Sequence, residues 1–150
     1  MAATDITGLV IESPGTREFE IPERMVAYDI DFTDPLLVGV ETVGLHNLVT
    51  IPKGDALVRG YGVVLATLTS GGSPTLQFRV GSDQVTGVIP IANLVIGDVF
   101  PLVIHNGTVT QSGSGYADAA AKTLDLNLAV AVVTAGIIRL YVTTIDNISS

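Results

Sequence analysis

The chain contains no cysteine and no tryptophan, and only four tyrosines and four phenylalanines in 150 residues. Without cysteine there are no disulfides and no thiolate metal sites, so the fold rests on packing and assembly. Few aromatics leave the core to Val, Leu, Ile and Ala, a composition that favours strands. The same shortage counts against a sugar-cleaving or sugar-binding surface built on aromatic platforms.

Charge is also scarce. Charged residues make up 15% of the chain against 47% hydrophobic, where a typical domain is about one quarter charged. This is not the composition of a disordered chain. So few charges cannot cover the outside, and the sequence predicts apolar surface that faces a partner. Long apolar runs are missing as well: Gly, Pro and polar residues interrupt every stretch well before the roughly 18 residues a spanning helix needs, which argues against a membrane. Met1 to Ile11 lacks the basic start and apolar run of a secretory signal, so synthesis in the cytoplasm without export is expected.

Acids outnumber bases, 15 to 7, for a net charge of −8. Nine of the acids lie between Asp5 and Glu41, where Arg17 and Arg24 are the only bases, and the rest of the chain is almost neutral. Such an acidic segment repels phosphate backbones, which excludes nucleic acid and favours a basic protein surface.

The length fits one domain. Residues 1–24 show no sustained periodicity of two or of 3.6 residues and contain Gly8, Pro14, Gly15 and Pro22. They read as an extended N-terminal arm with one short strand, Leu9 to Glu12. Residues 25–150 read as a β-sandwich domain. Val26, Tyr28, Ile30 and Phe32 alternate with Asp29 and Asp31 in a half-buried strand, and Leu36 to Val43 suggests another. Thr50 to Asp55 is a turn. Ala56 to Thr69 is a long strand whose Gly60 and Gly62 predict a bend or close backbone packing. After Ser70-Gly71-Gly72-Ser73-Pro74, Thr75 to Val80 returns, and the pair reads as a hairpin.

Val85 to Phe100 suggests a short strand and one helical turn, Pro101 to His105 a strand, and Asn106-Gly107 a tight turn. Leu124, Leu126, Leu128, Val130 and Val132 then form an aliphatic row. With a turn at Thr134-Ala135-Gly136 and a return strand Ile137 to Ile145, this end reads as a second hairpin. Eight or nine short strands between turn signals point to an all-β, two-sheet antiparallel sandwich of jelly-roll type.

No catalytic residues emerge, and an enzyme is not expected. His46 and His105 are the only histidines, and neither has a second ligand at zinc spacing. Asp29 and Asp31 share a strand face and read as solvated, since calcium needs six to eight oxygens. Ser112-Gly113-Ser114-Gly115 lacks the first glycine of G-x-S-x-G, and Gly71-Gly72 sits between strands instead of before a helix. A carboxylate pair cannot be judged by counting alone. No cofactor and no metal is implied.

Two stretches carry a family likeness. The first runs Thr50-Ile51-Pro52-Lys53-Gly54-Asp55, then Leu57 to Thr69, Gly71-Gly72, and Phe78-Arg79-Val80-Gly81. The second joins Tyr116-Ala117-Asp118 to Lys122-Thr123-Leu124-Asp125-Leu126, Thr134-Ala135-Gly136 and Arg139-Leu140-Tyr141-Val142. Together they cover about half the chain, and they resemble the head decoration, or cement, proteins of tailed bacteriophages. The likeness lies in strands and turns, so it transfers no functional residues. It implies a jelly-roll-like domain on the outer surface of the virion, bound to the major capsid protein, associating with itself as a trimer before a dimer, and bridging capsomers. If the arm takes part, Arg17, Glu18, Glu20, Glu23 and Arg24 are the candidate contacts to capsid or subunit. A receptor-binding fibre-tip module and a lectin-like sandwich are the competing readings; the missing coiled-coil stalk counts against the fibre.

Overall fold

A computed structural model describes residues 11–13, 16–18, 22–34, 43–81, 83–104, 115–117 and 119–146. In chain order its strands are β1 (Ile11–Ser13), β2 (Thr16–Glu18), β3 (Glu23–Asp31), β4 (Gly44–Ile51), β5 (Ala56–Thr69), β6 (Thr75–Val80), β7 (Asp83–Gln84), β8 (Ile89–Pro90), β9 (Val99–Leu102), β10 (Lys122–Ala129) and β11 (Ala135–Ile145). One 3₁₀ turn, Ile91–Asn93, follows β8. β1 and β2 form a small antiparallel ladder of their own.

The other strands make two sheets. One has the order β3-β11-β5-β9; the second has the order β4-β10-β6-β7, with β8 also paired to β6. Every pairing is antiparallel. From β3 onward each connection crosses from one sheet to the other, except those joining β6, β7 and β8. That alternation is the jelly-roll arrangement, so the expected all-β sandwich is the observed fold.

The crossing connections correct both expected hairpins. β5 and β6 belong to different sheets, and so do β10 and β11. The physical reason is that each strand carries a full apolar row facing the sandwich interior, and two such rows bury each other best from opposite sheets. Leu124, Leu126 and Leu128 of β10 and Ile138, Leu140 and Val142 of β11 are all essentially inaccessible to solvent. β10 also stops earlier than its pattern suggests. It ends at Ala129, and Val130 takes a left-handed backbone (φ 76°) with 75% of its surface exposed. The turn is then tied down by Thr134 N–H donating to the Thr69 carbonyl and by the Ser70 hydroxyl donating to the Val132 carbonyl.

Close packing explains the glycines of β5. A Cβ on Gly62 would stand 2.2 Å from the Phe100 ring, and one on Gly60 would stand 2.9 Å from Leu102. β9 therefore lays Phe100 and Leu102 over the bare backbone of β5, in register with Gly62 and Gly60. Phe100 in turn stacks on Phe78 of the opposite sheet, with centroids 5.5 Å apart. Gly136 plays a similar part. It has φ 120°, and a Cβ there would meet the Leu68 backbone at 2.7 Å.

The ladder also moves the expected boundary between arm and domain. Glu23 and Arg24 pair with Ile145 and Thr144 of β11, so they are the first residues of a sheet strand and not part of an arm. The periodic pattern begins only at Met25, because Glu23 and Arg24 lie at the solvated end of the ladder where nothing demands an apolar side chain. Along β3, Ile30 is buried, with Phe32 just beyond it, while Val26 is half-buried and Tyr28 exposed. The second sheet covers only the far end of this edge strand. The strand expected at Leu36 to Val43 and the turn at Asn106-Gly107 fall outside the described residues, apart from Val43.

Candidate functional site

The two outward faces of the sandwich differ in chemistry, and strand register decides what each presents. On the four-stranded sheet, one outward row reads Ala27, Tyr141, Tyr61, Pro101 across β3, β11, β5 and β9. The next row reads Asp29, Arg139, Val63, Val99. On the other side of the tyrosines lies the row Met25, Thr143, Arg59.

Tyr61 and Tyr141 stack at 4.9 Å with 19° between their planes. Arg139 donates from Nε and Nη2 to the two oxygens of Asp29, at 2.7 and 3.0 Å. That fork and a hydrogen bond with Tyr141 hold the guanidinium protonated far above any working pH, and the same fork keeps the Asp29 carboxyl below its usual range. Across the tyrosine pair, Arg59 forms an ion pair with Glu23. The stack is thus flanked by an ion pair on each side. Thr143, set in register between Met25 and Arg59, is buried.

Around this centre the surface is apolar. Met25 and Val99 are 59% and 62% exposed, and Leu65 and Val103 are exposed as well. The segment after the 3₁₀ turn continues the patch with Val95 and Ile96. It is pinned to β5 by Ile96 N–H donating to the Thr67 hydroxyl and Gly97 N–H donating to the Val64 carbonyl. A cleft of about 500 Å³ lies where β8 of one sheet approaches β9 of the other, lined by Ile89, Ala92, Asn93, Leu94, Asp98, Val99 and Phe100.

Aromatic and arginine side chains amid exposed aliphatics are the composition of a protein-binding patch.

The outward face of the five-stranded sheet is polar. Asn47, Asp125, Arg79 and Gln84 share one row, and Leu45, Asn127 and Gln77 share another. Asp125 is only 4% exposed, and its Oδ1 makes no hydrogen bond. Burial pushes its carboxyl above the usual range, partly offset by a hydrogen bond with Thr123 and by the charge of Arg79. A folded-state pKa above the unfolded one means that ionisation opposes folding. The penalty is absent in acid, develops as pH rises through the carboxylate range, and is complete at neutral pH. Asp125→Asn should therefore raise the melting temperature at pH 7, and the gain should shrink as pH falls through the carboxylate range. Thermal scans across pH check both.

The sequence-derived contact residues scatter. Glu23 is on the candidate face, paired with Arg59. Arg24 turns the other way and approaches Asp146 at 3.8 Å. Arg17 and Glu18 belong to β2, their side chains lie outside the described portion, and Glu20 lies wholly outside it. Asp29 and Asp31 do not act together: Asp29 holds Arg139, while Asp31 accepts from the Thr33 amide and hydroxyl. His46 lies on β4, and His105 and Ser112 to Ser114 are outside the described residues. Among the described residues there is no group of three His, Cys, Asp or Glu placed to hold a metal, and no helix is long and apolar enough to cross a membrane. The tyrosine stack was missed in the sequence, since its members are 80 positions apart and only the β5–β11 register joins them.

No protein-family model matches the chain, and no curated protein matches it. Among solved structures, it is similar to a chain of the acidic stable capsid structure of Helicobacter pylori bacteriophage KHP30, with TM-score 0.49 and 14% identity over 82% of this chain and 86% of that one. It is also similar to a chain of the capsid of Ralstonia phage GP4, with TM-score 0.44 and 15% identity over 97% of this chain and 90% of that one. At these values the likeness is one of overall strand arrangement in chains from phage capsids, and no residue role is taken from it.

Proposed function

We propose that the protein is a structural component of a bacteriophage virion that binds the outer surface of the capsid and cements neighbouring major capsid proteins. The observation that supports this most is the outward face of the four-stranded sheet, where the Tyr61–Tyr141 stack sits between two ion pairs within an exposed aliphatic field. Burial of Met25, Val99 and the tyrosines supplies affinity, and the flanking Glu23–Arg59 and Asp29–Arg139 pairs set register. Arg17, Glu18, Glu20 and Arg24 are further contacts at the margin. Many copies on one shell turn weak single contacts into firm attachment.

The test is rebinding to capsids stripped of this protein. Tyr61→Ala and Tyr141→Ala should each weaken binding about tenfold or more, as central aromatic residues of an interface do. Gln84→Ala, on the opposite face, should leave binding unchanged. Full binding by both tyrosine variants removes the face from the mechanism, and no binding by the wild type removes the function.

A further inference from the structure

The turn between β10 and β11 holds its backbone in a costly conformation that does nothing for the fold of the chain. Ala131 N–H donates to the Ala129 carbonyl at 3.0 Å, closing a γ-turn centred on Val130, and the φ of 76° makes it the rare, strained form of that turn. A β-branched residue suits such a backbone poorly, because its side chain crowds the following carbonyl where glycine or asparagine would be relaxed. Val130 is also the most exposed large apolar side chain among the described residues, at 75%. Burial within its own chain therefore does not offset the strain.

The conformation is imposed by the neighbouring loop. The Ser70 hydroxyl donates to the Val132 carbonyl at 2.5 Å, and Thr134 donates from its N–H and its hydroxyl to the Thr69 carbonyl at 2.8 and 3.1 Å. Ala131 packs against the bare backbone of Gly72, where a Cβ would stand 2.8 Å from its own. Strain that the surroundings maintain in this way collects at contact sites.

We propose that Val130 is a preformed apolar finger that enters an apolar socket on a capsid protein, as a second contact besides the tyrosine face. This rests on the capsid-binding reading and deepens it. Cementing neighbours needs two contacts, and about 20 Å of β11 separates Tyr141 from Ala135, where the turn ends. A finger fixed before binding loses little entropy on insertion. The tip suits protein better than lipid. Residues 69–75 and 129–135 carry no charged and no aromatic side chain, so the tip lacks the Lys, Arg and Trp that hold a protein at a membrane interface. A net charge of −8 is also repelled by anionic headgroups.

The test joins thermal melting to rebinding on the same stripped capsids. Val130→Asn accepts the left-handed backbone and removes the apolar surface, so it should melt higher than the wild type yet bind at least about tenfold more weakly. Val130→Thr keeps shape and strain but buries an unpartnered hydroxyl in the socket; it should melt like the wild type and also bind at least about tenfold more weakly. Undiminished binding by either variant, with the wild type bound, removes the finger and leaves the tyrosine face standing. A wild type that does not bind removes both. V130N melting below the wild type would make Val130 a residue of the fold and overturn the proposal. So would co-flotation of the wild type with phosphatidylcholine–phosphatidylglycerol vesicles, or self-association in sedimentation, that V130N abolishes.

Discussion

Phe78→Ala is expected to cost about 3 to 5 kcal/mol of folding stability, the range for removing a large buried ring. Phe78 is fully buried at the centre of β6 and stacks on Phe100, which lies over the bare backbone at Gly62. The ring therefore joins three strands from two sheets: β6, β9 and β5. Phe100 is only half-buried and belongs to a four-residue edge strand, so it cannot collapse into the space without giving up its ladder with β5. Urea unfolding should show a lower midpoint with an unchanged slope. A loss below about 1 kcal/mol, a surface-like value, would mean that the two sheets do not meet at this ring.

Leu126→Ala should cost about 2 to 5 kcal/mol, whereas Val130→Ala should fall within about 0.5 kcal/mol of wild type. The two residues belong to one alternating row in the sequence, but only the first is inside. Leu126 is inaccessible to solvent, between His46 of β4 and Phe78 of β6 in register. Val130 lies past the end of β10 with its side chain in solvent. Equal losses at both positions would mean that β10 continues to Val132, as alternation alone implies, with Val130 inside the sandwich.

That contrast shows where the sequence is informative. β5 and β6 match the expected Ala56 to Thr69 and Thr75 to Val80, because each is an aliphatic and β-branched run closed by glycine- or proline-bearing turns. β4 was not anticipated. The extra residue at Leu48 shifts the side-chain alternation midway, so Leu45, Leu48, Val49 and Ile51 follow no single period. The turns were legible but their sense was not. Gly71-Gly72 and Gly136 mark chain reversal equally well within a sheet or between sheets, and only the long-range partners of β6 and β11 decide which.

The candidate face was less legible than the core. Composition foretold spare apolar surface, but not that register would gather Met25, Tyr61, Tyr141 and Val99 on one side, from four strands spread over most of the chain. Asp125 stands out of phase with the aliphatic row of Leu124, Leu126 and Leu128, and the ladder sets it on the outward face beside Asn47 and Arg79. Its burial depends on neighbours contributed by β4 and β6, which no local pattern contains.

Electron microscopy of phage particles from the source of this chain tests the proposed virion role most directly. The expected map shows a jelly-roll density on the outside of the shell, with the four-stranded sheet turned toward the capsid and Tyr61, Tyr141 and Val99 at the contact. A particle whose shell lacks this density, or one in which that sheet faces solvent, would contradict the account.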